Sequence, residues 1–143
     1  MLKDWEAWEN EVADRLDGCT VRCSGRLPTA KGDARASDYL IDAKHTTMRF
    51  YSLHKSLWAD LEEWARNEGR IPCVAVRCPD ADIAVIPELR YAEMHPEYEA
   101  VDDLPTSSSK SLHGGRAFPL AFRLGHARLV AYLFEDFEGD VIR

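Results

Sequence analysis

The sequence predicts an α/β fold, a sheet with helices packed on it, and three observations lead there. Two amphipathic helical periods, at residues 4–17 and 52–67, bracket a set of short β-prone runs. Two longer apolar runs, at 71–77 and 82–87, follow the second helix. Turn residues stand at the boundaries between them, so the core order reads α-β-β-β-α-β with one further strand, a mixed central sheet flanked by helices. At 143 residues the chain fits one domain spanning 1–143, with a core at about 4–95, a loop or flap at 96–115 and a C-terminal docking segment at 116–143.

In the first helix Trp5, Trp8, Val12, Ala13 and Leu16 recur at helical spacing, with Asp4 placed to cap the start and Gly18 to end it. Residues 19–23, CTVRC, are short and β-prone, and a loop of Gly, Pro, Ser and basic residues follows. Next come GDAR, a turn around Ser37, and a strand at 39–44. Leu53, Leu57, Leu61 and Trp64 form the apolar stripe of the second helix, closed by Gly69. A Pro-Asp turn separates the next two strands, and PELRYAEM reads as a short helix. Residues 96–115 turn acidic and then rich in Ser and Gly, the composition of a loop or mobile flap. The apolar residues of ARLVAYLFEDF fit the periods of strand and helix equally.

Composition excludes several classes of protein. With 45% hydrophobic and 30% charged residues the chain is neither disordered nor membrane-embedded; its amino terminus lacks a signal-peptide pattern, and a cytoplasmic location is expected. Cys19 and Cys23, and Cys73 and Cys78, are spaced more loosely than the CxxC pairs of zinc ribbons, so they read as reduced, buried thiols. His45, His95, His113 and His126 show no ligand spacing. The net charge of -7 argues at first sight against a polyanionic partner. Its distribution argues otherwise: residues 22–55 hold seven basic side chains against three aspartates, whereas 56–143 hold nine basic against sixteen acidic. Basic groups around a few central acids suit an enzyme that meets phosphates and holds cations, although a solvated surface of mixed charge shows the same count.

On the strand at 39–44, side chains two apart share a face, so Asp42 and Lys44 are neighbours. A carboxylate can hold a hard cation, and an ammonium about 6 to 7 Å along the strand can act on a water or phosphate beside it. Magnesium needs a second acid. Asp38, four residues back, is about 13 Å from Asp42 if both are extended, too far for one ion, and suits an exposed turn position. Asp33 is better placed: with a tight hairpin near Ser37 and Asp38 it lies across from Asp42 on the adjacent strand, about 5 Å away.

The run KGDARASDYLIDAKHT, residues 31–46, resembles the signature of PD-(D/E)XK endonucleases, in particular the small phage-encoded and Holliday-junction resolvase-like enzymes. The resemblance covers roughly residues 5–87 and implies a restriction-endonuclease-like core. It departs from the pattern in two places, with Gly32 for the proline and Asp42 where a glutamate is common. It implies that Asp33 and Asp42 bind magnesium or manganese, that Lys44 positions or deprotonates the attacking water, and that Thr46 follows the motif. Glu9 best matches the family's helical glutamate, as a further metal ligand and catalytic residue, with Glu6 and Glu11 as fallbacks; any of the three also suits a solvated helix face. Arg22, Ser24, Arg26, Lys31, Arg35 and Lys55, with Thr46, make up the expected DNA-binding set.

The function expected is metal-dependent endonucleolytic hydrolysis of DNA, with branched junctions favoured by the resemblance. Symmetric cutting of a four-way junction needs two sites, hence a homodimer. Two alternatives share these features: a nucleic-acid-binding or interaction module on a nuclease fold, and a nuclease acting on linear duplex or flaps.

Overall fold

The structure is a computed structural model and describes residues 4–20 and 34–142. Its elements are α1 (Asp4–Arg15), β1 (Cys19–Thr20), β2 (Ala34–Ala36), β3 (Tyr39–His45), β4 (Tyr51–His54), α2 (Lys55–Glu68), β5 (Ile71–Cys78), β6 (Ala81–Pro87), α3 (Glu88–Met94), β7 (Thr106–Ser107), β8 (Ser109–Leu112), β9 (Leu120–Leu124), β10 (Ala127–Leu133) and α4 (Phe134–Ile142). Among the described residues one eight-stranded sheet runs in the order β1-β2-β3-β5-β6-β10-β9-β7, and β4 pairs with β8 apart from it. The sheet is mixed, since β3–β5 and β7–β9 are parallel and the other pairs antiparallel. The core order is the one expected, with β4 added before α2.

Strict alternation along the central strands builds two cores. On β5, Cys73 and Ala75 face one way while Val74, Val76 and Cys78 face the other; β6 divides Ala84 and Ile86 from Ile83 and Val85 in the same manner. The first face is covered by Trp8, Val12, Ala13 and Leu16 of α1, Tyr91 of α3, and Phe134 and Phe137 of α4. The second is covered by Trp58, Leu61 and Ala65 of α2 and by Leu53 and Leu112 of the β4–β8 pair. Trp8 locks α1 to the sheet: its indole N–H donates to the Ala75 carbonyl at 3.0 Å, and its ring meets Phe134 edge-on at 5.3 Å.

Helix ends follow the expected chemistry with one exchange of roles. Gly69 takes a left-handed φ of 67°, and Arg70 N–H bonds back to Ala65 at 2.8 Å, closing α2. At the end of α1 the left-handed residue is Asp17, with φ 55°, and not Gly18. Gly18 is needed for a close approach instead, because a Cβ there would sit 2.3 Å from the Arg35 carbonyl oxygen.

Three expectations about elements change. The second helix begins at Lys55 rather than near Ser52, because residues 51–54 pair with β8, Leu53 opposite Lys110. The stretch 96–115 contains β7 and β8, so it is partly strand and not simply a loop or flap. ARLVAYLFEDF is both strand and helix: Val130 and Tyr132 alternate with Leu129 and Ala131 across the sheet, then Phe134 and Phe137 share a helical face. Cys73 and Cys78 are free thiols on opposite faces, so they do not converge on one ion. Burial pushes Cys78 up to about 11 and Cys73 higher still, leaving both protonated. Among the described residues no helix is long and apolar enough to cross a membrane.

Glu88 ties α3 to β10 and to the chain beyond α3, accepting from Arg128 Nε and from the Tyr98 hydroxyl, each at 2.6 Å. The Arg128 guanidinium, more than the opposing burial, holds its carboxyl below the ordinary 4.5. A depressed folded value means the stabilisation is complete above the unfolded carboxyl value and is lost as pH falls through the folded one. Thermal melts by circular dichroism are therefore expected to show a smaller acid-induced drop in melting temperature for Glu88→Gln than for the parent between about pH 5 and pH 3. Equal drops would mean that Glu88 does not carry this dependence.

Candidate active site

The site is built on the hairpin of β2 and β3. Ser37 and Asp38 form a two-residue turn, and Ser37 adopts the left-handed φ of 52° that such turns require at their first central position. The pairs run Ala36 to Tyr39, Arg35 to Leu40 and Ala34 to Ile41. Asp38 is exposed, as expected of a turn residue, and its carbonyl accepts from Ile71 N–H at 2.7 Å, which sets β5 parallel beside β3.

Tyr39, Ile41 and Ala43 point into the α1 core and Leu40 into the α2 core, so Asp42 and Lys44 lie on the α2 side near the carboxyl end of β3. Lys44 Nζ stands 3.3 Å from Asp42 Oδ1. Asp42 is only 6% exposed, and the ammonium offsets a carboxylate charge that burial would otherwise penalise. Lys44 itself is about one-third exposed at its side chain, so the pair opens outward through the lysine. At the end of the strand lies a cleft of about 640 Å³, with His45, Thr46 and Thr47 on one wall and residues 77–82 on the other; Asp42 and Lys44 are not among the residues that line it.

Tyr51, which sequence reasoning left out, belongs to the same region. Burial raises its phenol above the ordinary value; the Lys44 ammonium lowers it and the Asp42 carboxylate raises it. The hydroxyl thus keeps its proton near neutrality and feels both charges. The alternation of Tyr51 and Leu53 was the available signal of a strand, masked by the helical stripe that also begins at Leu53.

The remaining expected residues divide. Thr46 lines the cleft, its N–H donating to Arg77 O and its hydroxyl oxygen accepting from Met48 N–H, both at 3.0 Å. Glu9 is half-buried on α1, the helix that covers the face opposite Asp42. Glu6 is half-buried on the same helix, and Glu11 is committed elsewhere: Arg77, then Arg15, hold its carboxyl below the usual range. Asp33, Arg22, Ser24, Arg26 and Lys31 lie outside the described residues. Among the described residues no three acidic, histidine or cysteine side chains gather closely enough to hold an ion.

The structure sets two of the expected DNA-binding residues apart from the motif strand. Arg35 is 4% exposed and forms a two-pronged pair with Glu68 at the end of α2, with contacts of 2.8 and 2.5 Å, because its place opposite Leu40 turns it toward that helix. Lys55 is exposed but stands away from the motif: its side chain lies beside Gly125 in the β9–β10 turn, where a Cβ would be 3.9 Å from its Cδ. Three or four strand spacings, roughly 15 to 19 Å, separate β9 and β10 from β3.

No protein family model matches the chain, and no curated protein matches it. Among solved structures it is similar to Hjc, a Holliday junction resolvase of the hyperthermophilic archaeon Archaeoglobus fulgidus. The sequence identity is 18%, the match covers 82% of this chain and 92% of that one, and the TM-score is 0.49.

The Arg35–Glu68 pairing is directly testable. Arg35→Met takes the shorter of its arginine contacts from the mostly buried Glu68, leaving Arg70 at 3.4 Å, and is expected to cost roughly 2 kcal/mol in denaturant unfolding, with much of it regained in the Arg35→Met/Glu68→Met double variant. A fully stable single variant with weakened DNA binding would return Arg35 to the binding surface.

Proposed function

We propose that the chain is a metal-dependent endonuclease that hydrolyses DNA phosphodiester bonds, with branched four-way DNA as the preferred substrate. The observation that carries this reading is the Asp42–Lys44 pair, 3.3 Å apart, near the carboxyl end of β3 where the lysine reaches the surface. The motif resemblance adds the GD turn and the D-x-K-x-T strand. The second carboxylate proposed is Asp33, from the same motif resemblance.

The donor chemistry suits a hard cation in this arrangement: Asp42 supplies carboxylate oxygens from a nearly buried position. Magnesium or manganese would be held by Asp42 and Asp33 and would supply an activated water and neutralisation of phosphate charge. Lys44 then orients the attacking water or stabilises charge on a phosphate oxygen. Tyr51, still protonated, donates its hydroxyl hydrogen to a phosphate oxygen. Equivalent cuts in both strands of a four-way junction require two such sites about a twofold axis, so the working form proposed is a homodimer.

Labelled linear, flapped and four-way DNA incubated with magnesium or with chelator tests the reading. Cleavage is expected only with metal, fastest on four-way DNA, with Asp42→Asn and Lys44→Met slowing it by at least about a hundredfold at retained binding. Tyr51→Phe is expected to slow it by roughly tenfold or more, as loss of one hydrogen bond to a charged group would. Cleavage that survives chelation or Asp42→Asn would refute the mechanism. Binding without cleavage by the parent protein would leave a DNA-binding module, and equal rates on all three substrates would remove the junction preference alone.

A further inference from the structure

The chain leaves β3 through a turn that exposes two large apolar side chains beside the candidate active site. Met48 is 64% exposed and Phe50 45%, and Arg49 between them is exposed as well. The turn is anchored at both ends. Thr46 N–H bonds to Arg77 O and Met48 N–H to Thr46 Oγ1, while Tyr51, immediately after Phe50, enters β4 and pairs with Leu112. The exposure therefore belongs to a fixed tip.

Two side chains are too few for a stable protein interface, which needs on the order of 1,000 Å² or more. They match a smaller apolar surface bearing a negative charge beside it. A nucleobase with its flanking phosphate has that chemistry: the base offers a π-face to an aromatic ring or thioether, and the phosphate accepts from a guanidinium. Apolar wedges of Phe and Met enter between bases in this way, at least cost where stacking is already weakened, as at a branch point. The turn begins where β3 ends and Met48 follows Lys44 by only four residues, so the tip stands close to where a scissile phosphate would be.

We propose that Met48 and Phe50 form a wedge that stacks on an unpaired or unstacked base next to the scissile phosphate, with Arg49 on the neighbouring phosphate. This rests on the reading of Asp42 and Lys44 as a phosphodiester-hydrolysing site. The wedge makes the tip a determinant of substrate structure rather than of the chemical step.

Four-way DNA carrying 2-aminopurine at the branch point reports unstacking directly. With the full chain and chelator present, binding is expected to raise its fluorescence. Met48→Ser/Phe50→Ser is expected to abolish most of that rise and, with magnesium, to slow four-way cleavage roughly tenfold, while Phe50→Trp retains both. Both side chains are exposed, so the variants keep the fold. An unchanged fluorescence rise in the double variant overturns the wedge, and so does a shift of sedimentation from dimer to monomer, which would make the tip a self-association surface. Failure of the parent protein to bind DNA removes the underlying reading and the wedge together. Binding with a Phe50-dependent rise but no cleavage removes only the hydrolytic reading.

Discussion

Burial of β3 on both faces is the constraint from which the rest of the structure follows. A strand between α1 and α2 can carry charge only where one of those layers ends, and β3 becomes partly exposed only at Lys44 and His45. Asp42, two residues inside that limit, is tolerated because Lys44 accompanies it on the same face. The position of both depends on two registers: with β2 through a two-residue turn, and with β5, where Asp42 stands beside Val74. Three contacts hold these registers together at the opposite end: Arg35 with Glu68, Arg70 with the Ser37 carbonyl, and Ile71 with the Asp38 carbonyl. They fasten the start of β3 to the end of α2, so the hairpin and the crossover helix act as one piece.

Electrostatics is organised by pairing more than by net charge. Arg15 and Arg77 share Glu11, Glu138 and Asp82 across α1, α4, β5 and β6, and Arg77 also covers the Trp8 ring at 4.2 Å. These groups sit on the face opposite Asp42, where they fix α1 and α4. Arg35 is likewise internal. The basic excess counted over residues 22–55 therefore overstates the charge available to a polyanion, since one of its seven members neutralises Glu68. A charge count along a sequence weighs buried and exposed groups alike, and only the strand register tells them apart.

Period and turn chemistry made most of the fold legible beforehand. The two helices, the β2–β3 hairpin, the β5–β6 pair and α3 each carry a local signal that their packing reinforces. What escaped was non-local or doubly periodic. Residues 51–54 pair with residues 109–112, more than fifty positions away, and nothing in either segment alone announces the partner. Residues 127–142 satisfy period two and then period three to four with no turn residue between, so the boundary at Phe134 is set by where the sheet runs out beneath it. At the site, the adjacency of Asp42 and Lys44 was legible because strand spacing alone decides it. Glu11 and Arg35 were not, because their partners, Arg77 and Glu68, lie 66 and 33 residues off.

The β4–β8 pair gives the Ser-rich segment after Pro96 a structural meaning. Tyr51 faces Leu112 across that pair, Leu112 is fully buried, and its carbonyl accepts from the Cys78 thiol at 3.6 Å at the end of β5. A segment whose composition reads as a loop thus clamps β4 over the α2 face of the sheet, and β4 in turn holds Tyr51 near Asp42 and Lys44. Without β8 the backbone groups of residues 51–54 would lose their ladder partners and have to find water. Both the extra phenol beside the Asp42–Lys44 pair and the fixed exposure of Met48 and Phe50 follow from that addition to the α-β-β-β-α-β core, and the site is shaped as much by it as by the motif strand.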